Sequence, residues 1–386
     1  MRALRVQDTP TQRARSCGLS GQRASIGMRR ALVFPSLLGV ATVAWGLPVI
    51  DMMTAHDEIP MLRYRLRLHA PIAVKTVILE SSLSHAGLPK PLYVRDSLRP
   101  AELARYKIEL IDVPVDPALR QHLAGCANST STRCTWVLEI AQRKFIMGML
   151  QPMINRTMAE LGLDDVLVHM SDLDELLDVD AVNNLSMPQS GCVSPKLRNF
   201  VYGERCPATY PPWSRSVLFR ARSGWLTKHM SPSLQLRKLA KGQDCGATSR
   251  WLGWHFGYFM STKRILHKLS NFAHAHDPFI KRITHGAEPQ SEMDRRVRNC
   301  LDVHGRRYGP AWAAYDGKLP AEPGWPRNPV APGSLNASVL ERERRAHEAE
   351  ASKASRHAAS NPGALAAAMG KLASVKQAIA NLPGAR

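Results

Sequence analysis

The stretch Asp164 to Asp180, "DDVLVHMSDLDELLDVD", holds seven carboxylates and no Lys or Arg, in a chain whose formal net charge is +20. Crowded negative charge costs electrostatic energy unless a positive group faces it. Within the stretch, "VLVHM" reads as a buried strand and "SDLDE" follows at its end. If the backbone is still extended there, Asp172 and Asp174 project to one side of it. Two carboxylates so placed can share a hard divalent cation such as Mg²⁺ or Mn²⁺, whose open positions can hold the phosphates of a nucleotide diphosphate. A second reading makes Ser171 a helix N-cap, with Asp172, Asp174 and Glu175 complementing the helix dipole. Asp164 and Asp165 before the strand, and Asp178 and Asp180 after it, are expected in solvent.

Three other groups of residues can do chemistry. In "TWVLEIAQRKFIMGMLQPMINRTMAEL", Glu139, Gln142 and Arg143 stand at i, i+3 and i+4 and share one helix face. Arg143 there suits a diphosphate or an ion pair with Glu139, and the helix is expected to break or kink at Pro152. Lys90, between two prolines, sits in a stiff loop that suits a phosphate or a plain turn. In "RWLGWHFGYF", strand periodicity turns His255 away from Trp254 and Phe256, which assigns His255 to a site and the other two to the core.

The elements that must hold these residues alternate. "LPVIDMM", "KTVILES" and "DVLVHM" are short apolar runs of strand type, whereas "EIPMLRYRLRLHA" is apolar at helical spacing. This alternation predicts an α/β domain with a largely parallel sheet, which binds ligands beyond the carboxyl ends of its strands. The domain is expected over 48–307. Residues 1–47 form a basic extension in which Arg29 and Arg30 precede an apolar run, the pattern of a secretory signal or signal anchor. A linker with six prolines over 308–335 and an Ala-rich, helical or disordered tail over 336–386 follow.

A pI near 10.1 raises nucleic acid as a partner. The charge is diffuse and no helix-turn-helix, zinc finger or RNA-binding signature accompanies it, so no nucleic-acid partner is expected. Beyond Cys17 there are six cysteines, Cys126, Cys134, Cys192, Cys206, Cys245 and Cys300. They allow fifteen disulfide pairings, and the absence of C-x-x-C spacing argues against structural zinc. Sequons at Asn128, Asn155, Asn184 and Asn336 also fit a secretory chain.

Six motifs then stand in the order and approximate spacing of one family: "VIDMMTAHDEIPMLRYRL", "ESSLSHAGLPKPLYV", "WVLEIAQRKFIMGML", "DDVLVHMSDLDEL", "GWHFGYF" and "KLSNFAHAHD". From Val49 to Arg298 the chain resembles glycosyltransferase family 17, the β-1,4-mannosyl-glycoprotein 4-β-N-acetylglucosaminyltransferases that add the bisecting GlcNAc. The resemblance implies a GT-A-like nucleotide-sugar domain, a UDP-GlcNAc donor, a glycan or glycoprotein acceptor, a divalent cation (Mn²⁺ or Mg²⁺) and inversion at the transferred sugar. It also implies work in the secretory pathway, at the Golgi membrane through the N-terminal anchor or in the lumen. Asp51, Glu58 and Arg65 match the first strand and helix. Asp172 and Asp174 match the metal-binding pair, with Glu80, Lys90, Arg143 and Glu175 as donor-side residues. A carboxylate or His must take the acceptor's proton, and His255 and Asp277 are the candidates. The chain departs from the family pattern at Leu176-Leu177 (usually Ile-Pro), Gly257 (Ser), His276 (Glu) and Ala287-Glu288 (Gly-x-Asp). The last two departures raise the alternative of a degenerate transferase or sugar-binding module without turnover.

Overall fold

The computed structural model describes residues 46–115, 117–126, 132–204, 206–226 and 245–305. The expected signal or anchor segment, the Pro-rich linker and the Ala-rich tail lie outside them. Among the described residues no helix is long and apolar enough to cross a membrane.

The fold is mixed α/β. Four strands, β1 (Val49–Thr54), β2 (Ala73–Glu80), β3 (Ile108–Asp112) and β4 (Leu167–Asp172), run parallel in the order β3-β2-β1-β4. β1 and β4 are buried over nearly their whole length, as strands covered on both faces must be. One face is covered by α5 (Thr132–Leu161), whose Ile146, Leu150, Met153 and Ile154 pack on Ile50, Met52, Val168 and Met170. That helix runs through Pro152 without a break. The other face meets α1 (Ile59–His69), which starts with a proline in its first turn and buries Met61, Leu62, Tyr64 and Leu66.

The rest of the sheet continues from β4 through β8 (Val217–Arg220), β6 (Cys192–Val201) and β9 (Cys245–Gly257) to β5 (Glu175–Leu177), with β7 (Pro207–Trp213) beside β6. The pairings β4–β8, β8–β6, β6–β7 and β9–β5 are antiparallel, and β6–β9 is parallel. Only two residues separate β4 from β5, yet they occupy distant places in this order, so the sheet curls back on itself. The acidic turn at 172–175 closes that curl, at the carboxyl ends of the parallel strands. The helices α7 (Thr262–Asn271), α8 (Pro278–Thr284) and α9 (Pro289–Arg298) share a separate core with Tyr202, Tyr258 and Cys300. Of the fifteen pairings open to the six cysteines, Cys192–Cys245 ties β6 to β9 and Cys206–Cys300 ties this helical core to the sheet.

The curl depends on Gly253. Its φ is +154°, and a Cβ there would lie 1.9 Å from the carbonyl oxygen of Leu176 on β5. Gly253→Ala is therefore expected to destabilise the domain by at least about 2 kcal/mol, measured by chemical denaturation, because neither backbone can yield without moving β5. A variant as stable as the wild type would show that the β5–β9 contact is looser than described.

Candidate active site

The acidic turn is built by a buried cation. Arg65, on α1, is fully buried and donates to both oxygens of Asp51, at 2.9 and 2.6 Å, and to Ser171 Oγ at 2.7 Å. The same guanidinium donates to the carbonyls of Asp172 (2.7 Å), Leu173 (3.1 Å) and Glu175 (3.0 Å). Three carbonyls turned towards one guanidinium define the path of the turn. The segment is thus strand–turn–strand, and Ser171 accepts from Arg65 instead of capping a helix. The helix-capping acid is Asp178, whose side chain accepts from the amides of Asp180 and Ala181 at the start of α6 (Val179–Asn183). Asp165 departs from its expected exposure: it is buried, accepting from Arg220 at 2.7 Å and from the Val166 amide at 2.9 Å.

Asp51 also meets the Nδ1 atoms of His69 (2.8 Å) and His169 (3.0 Å). Burial raises its pKa, but Arg65, His69 and His169 together outweigh burial and hold the carboxyl well below its usual range. His169 is the converse case. Burial, only partly opposed by Asp51, pushes its imidazole down to about 4, and its Nε2 has no hydrogen-bond partner. The unfolded chain binds this proton below about pH 6.5 and the folded chain only near 4, so acidification through that window favours unfolding. The stability advantage of wild type over His169→Asn should shrink by about 2 kcal/mol between pH 7 and pH 5, followed by urea unfolding. An advantage independent of pH would mean that His169 takes up its proton as readily in the fold as in the unfolded chain.

Around the turn opens a cleft of about 220 Å³, lined among others by Lys90, Glu139, Gln142, Arg143, Asp172, Asp174 and His255. Arg143 donates to Glu139 at 3.0 Å and to Asp172 Oδ1 at 3.0 Å. It satisfies the ion pair that its helical spacing suggested and adds one to the acidic turn. Asp174 is more enclosed. Burial pushes its carboxyl up to about 6, with Lys268 of α7 opposing the rise and Glu58 adding to it. Lys268 pairs with Glu58 across the cleft; burial opposes its charge, but Glu58 and Asp174 keep the ammonium above its ordinary pKa.

His255 lies 3.7 Å from Asp174 through Nε2, while its Nδ1 meets Asn199 Oδ1 at 2.7 Å. Its ring stacks flat on Trp213, with centroids 3.8 Å apart. Trp254 and Phe256 point away into the core with Met53 and Leu62, as strand alternation requires. Trp213 also donates its indole N–H to Glu175.

Three predicted site residues stand behind the cleft wall. Glu175 is buried under the turn, accepting from the Asp172 amide at 3.1 Å, and burial pushes its carboxyl up to about 8. Glu80 accepts from the amides of Val94 and Arg95 and from Lys90 Nζ at 3.4 Å, so it braces the Lys90 loop. Asp277 accepts from His274 Nδ1 at 2.6 Å, and it is His274 that lines the cleft. Lys268, Trp213, Asn199 and His274 are the residues that spacing did not single out. Only His274 carried a local signal, the i, i+3 step to Asp277.

The acidic turn fits a divalent cation by its chemistry. Asp172 and Asp174 offer hard carboxylate oxygens to the cleft, and a cation beside Asp174 would offset the burial that, with a smaller contribution from Glu58, raises its pKa. Two protein carboxylates leave further positions for water and phosphate oxygens, the arrangement that Mg²⁺ favours.

A search of curated proteins finds no match to this chain. The model of glycosyltransferase family 17 matches residues 38–287, which span the parallel strands, the acidic turn, His255 and His274. With a cleft at the strand ends and a match over well more than half its length, the chain belongs to glycosyltransferase family 17.

Proposed function

We propose that this glycosyltransferase moves GlcNAc from UDP-GlcNAc to a mannose of a glycoprotein N-glycan, forming a β-1,4 linkage with inversion and with the help of Mn²⁺ or Mg²⁺. The observation that carries the reading is the pair Asp172 and Asp174 in one cleft, at the strand ends, in a chain of this family. Asp172 and Asp174 would hold the cation, which when bound neutralises charge on the departing UDP.

The chain's own residues supply the remainder. Arg143, now shared between Glu139 and Asp172, can exchange one carboxylate for a phosphate oxygen without leaving its place on α5. Lys90, braced by Glu80 and lying over the Tyr93 ring, presents a second positive charge on the cleft wall. Burial lowers its pKa, so it gains from an anionic partner. His255, held between Asn199 and Trp213, places its Nε2 3.7 Å from the Asp174 carboxylate.

Secretory residence is part of the proposal. Its support is the Arg-Arg and apolar segment before β1, together with two disulfides, which persist in oxidising compartments. The test is a panel of UDP-sugars and glycans offered to the purified full chain with Mn²⁺. Transfer from UDP-GlcNAc to a mannose-terminated N-glycan core is expected. Glycan binding without turnover of any UDP-sugar would contradict the proposal and favour a sugar-binding module.

A further inference from the structure

The cleft has two chemically distinct ends. Trp136 and Arg143 both line it from α5, seven residues apart, which at the helical rise is about 10 Å. Arg143 marks the acidic end through Asp172. Trp136 marks the other, where its ring meets His274 edge-on with centroids 4.7 Å apart. Phe272 and His304 complete that end, at 5.3 and 4.7 Å from the His274 ring. An aromatic end suits a pyranose ring, and it lies far enough from the acidic turn for the transferred sugar to stand between them.

His274 is held there by a carboxylate that has a second possible use. Asp277 occupies the N-cap of α8, directly before Pro278, yet its side chain makes no capping hydrogen bond. It accepts instead from His274 Nδ1 at 2.6 Å, and the Asp277 amide donates back to the His274 carbonyl at 2.8 Å. An N-cap Asp ordinarily bonds the first-turn amides, and that bonding is given up here. A carboxylate on Nδ1 fixes the imidazole tautomer with the lone pair on Nε2, and it stabilises the imidazolium that forms when Nε2 takes a proton.

We infer that the aromatic end binds the acceptor sugar and that His274, oriented by Asp277, is the general base for its attacking hydroxyl. The inference rests on the transferase reading above. The hydroxyl oxygen forms the new bond to the anomeric carbon as its proton passes to His274 Nε2. The bond from that carbon to the UDP oxygen breaks, and its electron pair leaves with UDP. The imidazolium then releases its proton to solvent, which restores the resting state. Among the described residues, Asp277 from α8 and His304 from the segment after α9 face His274, and His304 in turn meets Tyr258 Oη at 3.0 Å.

The experiment compares full-length wild type, His274→Ala and Asp277→Asn with UDP-GlcNAc, Mn²⁺ and a glycan acceptor. For His274→Ala, kcat should fall by about 100-fold or more, while the dissociation constant of UDP stays within about threefold. Added imidazoles should restore turnover in this variant, the more basic ones more strongly. Asp277 is a positioning residue, so Asp277→Asn should lower kcat about tenfold with little change in acceptor KM, a split that general unfolding of the site would not give. If the wild type turns over and His274→Ala matches it, or loses activity with no rescue by any imidazole, this inference is overturned and the transferase reading stands. If the wild type transfers no sugar from any donor, both fall.

Discussion

Arg65→Met should lower the stability of the domain by about 3–5 kcal/mol, the range for breaking a buried ion pair from one side. For a domain of this size that is a drop in Tm of about 10 °C or more. The reason is geometric as well as electrostatic. The substitution leaves Asp51 buried against two imidazoles, and it strips the carbonyls of Asp172, Leu173 and Glu175 of their shared donor. Arg65→Lys should recover only part of the loss, since an ammonium has three donors and cannot span this fork. The double variant Asp51→Asn/Arg65→Met should cost less than the sum of its parts, because the uncompensated charge is gone. Calorimetric unfolding of wild type, Asp51→Asn, Arg65→Met, Arg65→Lys and the double variant checks this. Additive costs would mean that Arg65 shapes the turn through its carbonyl contacts alone.

Asp172→Asn and Asp174→Asn should each reduce kcat/KM by about 10³-fold or more, if a cation between them supplies several kcal/mol of transition-state stabilisation. The stability readout makes the result diagnostic. Because burial raises the Asp174 carboxyl to about 6, its folded-state pKa lies above that of the unfolded chain. The protonated form favours folding, and that advantage is lost as pH rises through about 6. At pH 7.5 without added metal, Asp174→Asn should therefore unfold at the same temperature as wild type or higher. Activity lost with stability retained or gained marks a residue kept for function. Activity retained in both variants would remove the acidic turn from the chemistry.

How much of this was legible in the sequence follows the range of the interactions. The parallel strands and α1 declare themselves locally, through apolar runs and helical spacing. So does the shared face of Glu139, Gln142 and Arg143, because all three sit within two turns of one helix. The acidic stretch was locally ambiguous. What decides between helix cap and strand–turn–strand is Arg65, which reaches it from more than 100 residues away in sequence. Trp213 behind Glu175 and Lys268 opposite Asp174 are long-range partners of the same kind, brought in by the curl of the sheet and by α7. Asp165 looked solvated because its partner, Arg220, lies on the neighbouring strand β8. Asp277 is a candidate base by sequence, and the chain's turn at 272–277 sets His274 in front of it. Of the break or kink that Pro152 suggests, the break does not occur: packing of the flanking turns on β1 and β4 keeps α5 continuous through it.

The central claim is cation-dependent transfer of GlcNAc at the acidic turn. Its most direct test is mass-spectrometric analysis of an N-glycan acceptor incubated with the full chain and UDP-GlcNAc, in Mn²⁺ and in excess chelator. The account predicts a single added N-acetylhexosamine, β-1,4-linked to mannose, that disappears with chelator and returns when Mn²⁺ is restored. An unmodified acceptor under every condition, or equal transfer with and without chelator, would contradict it.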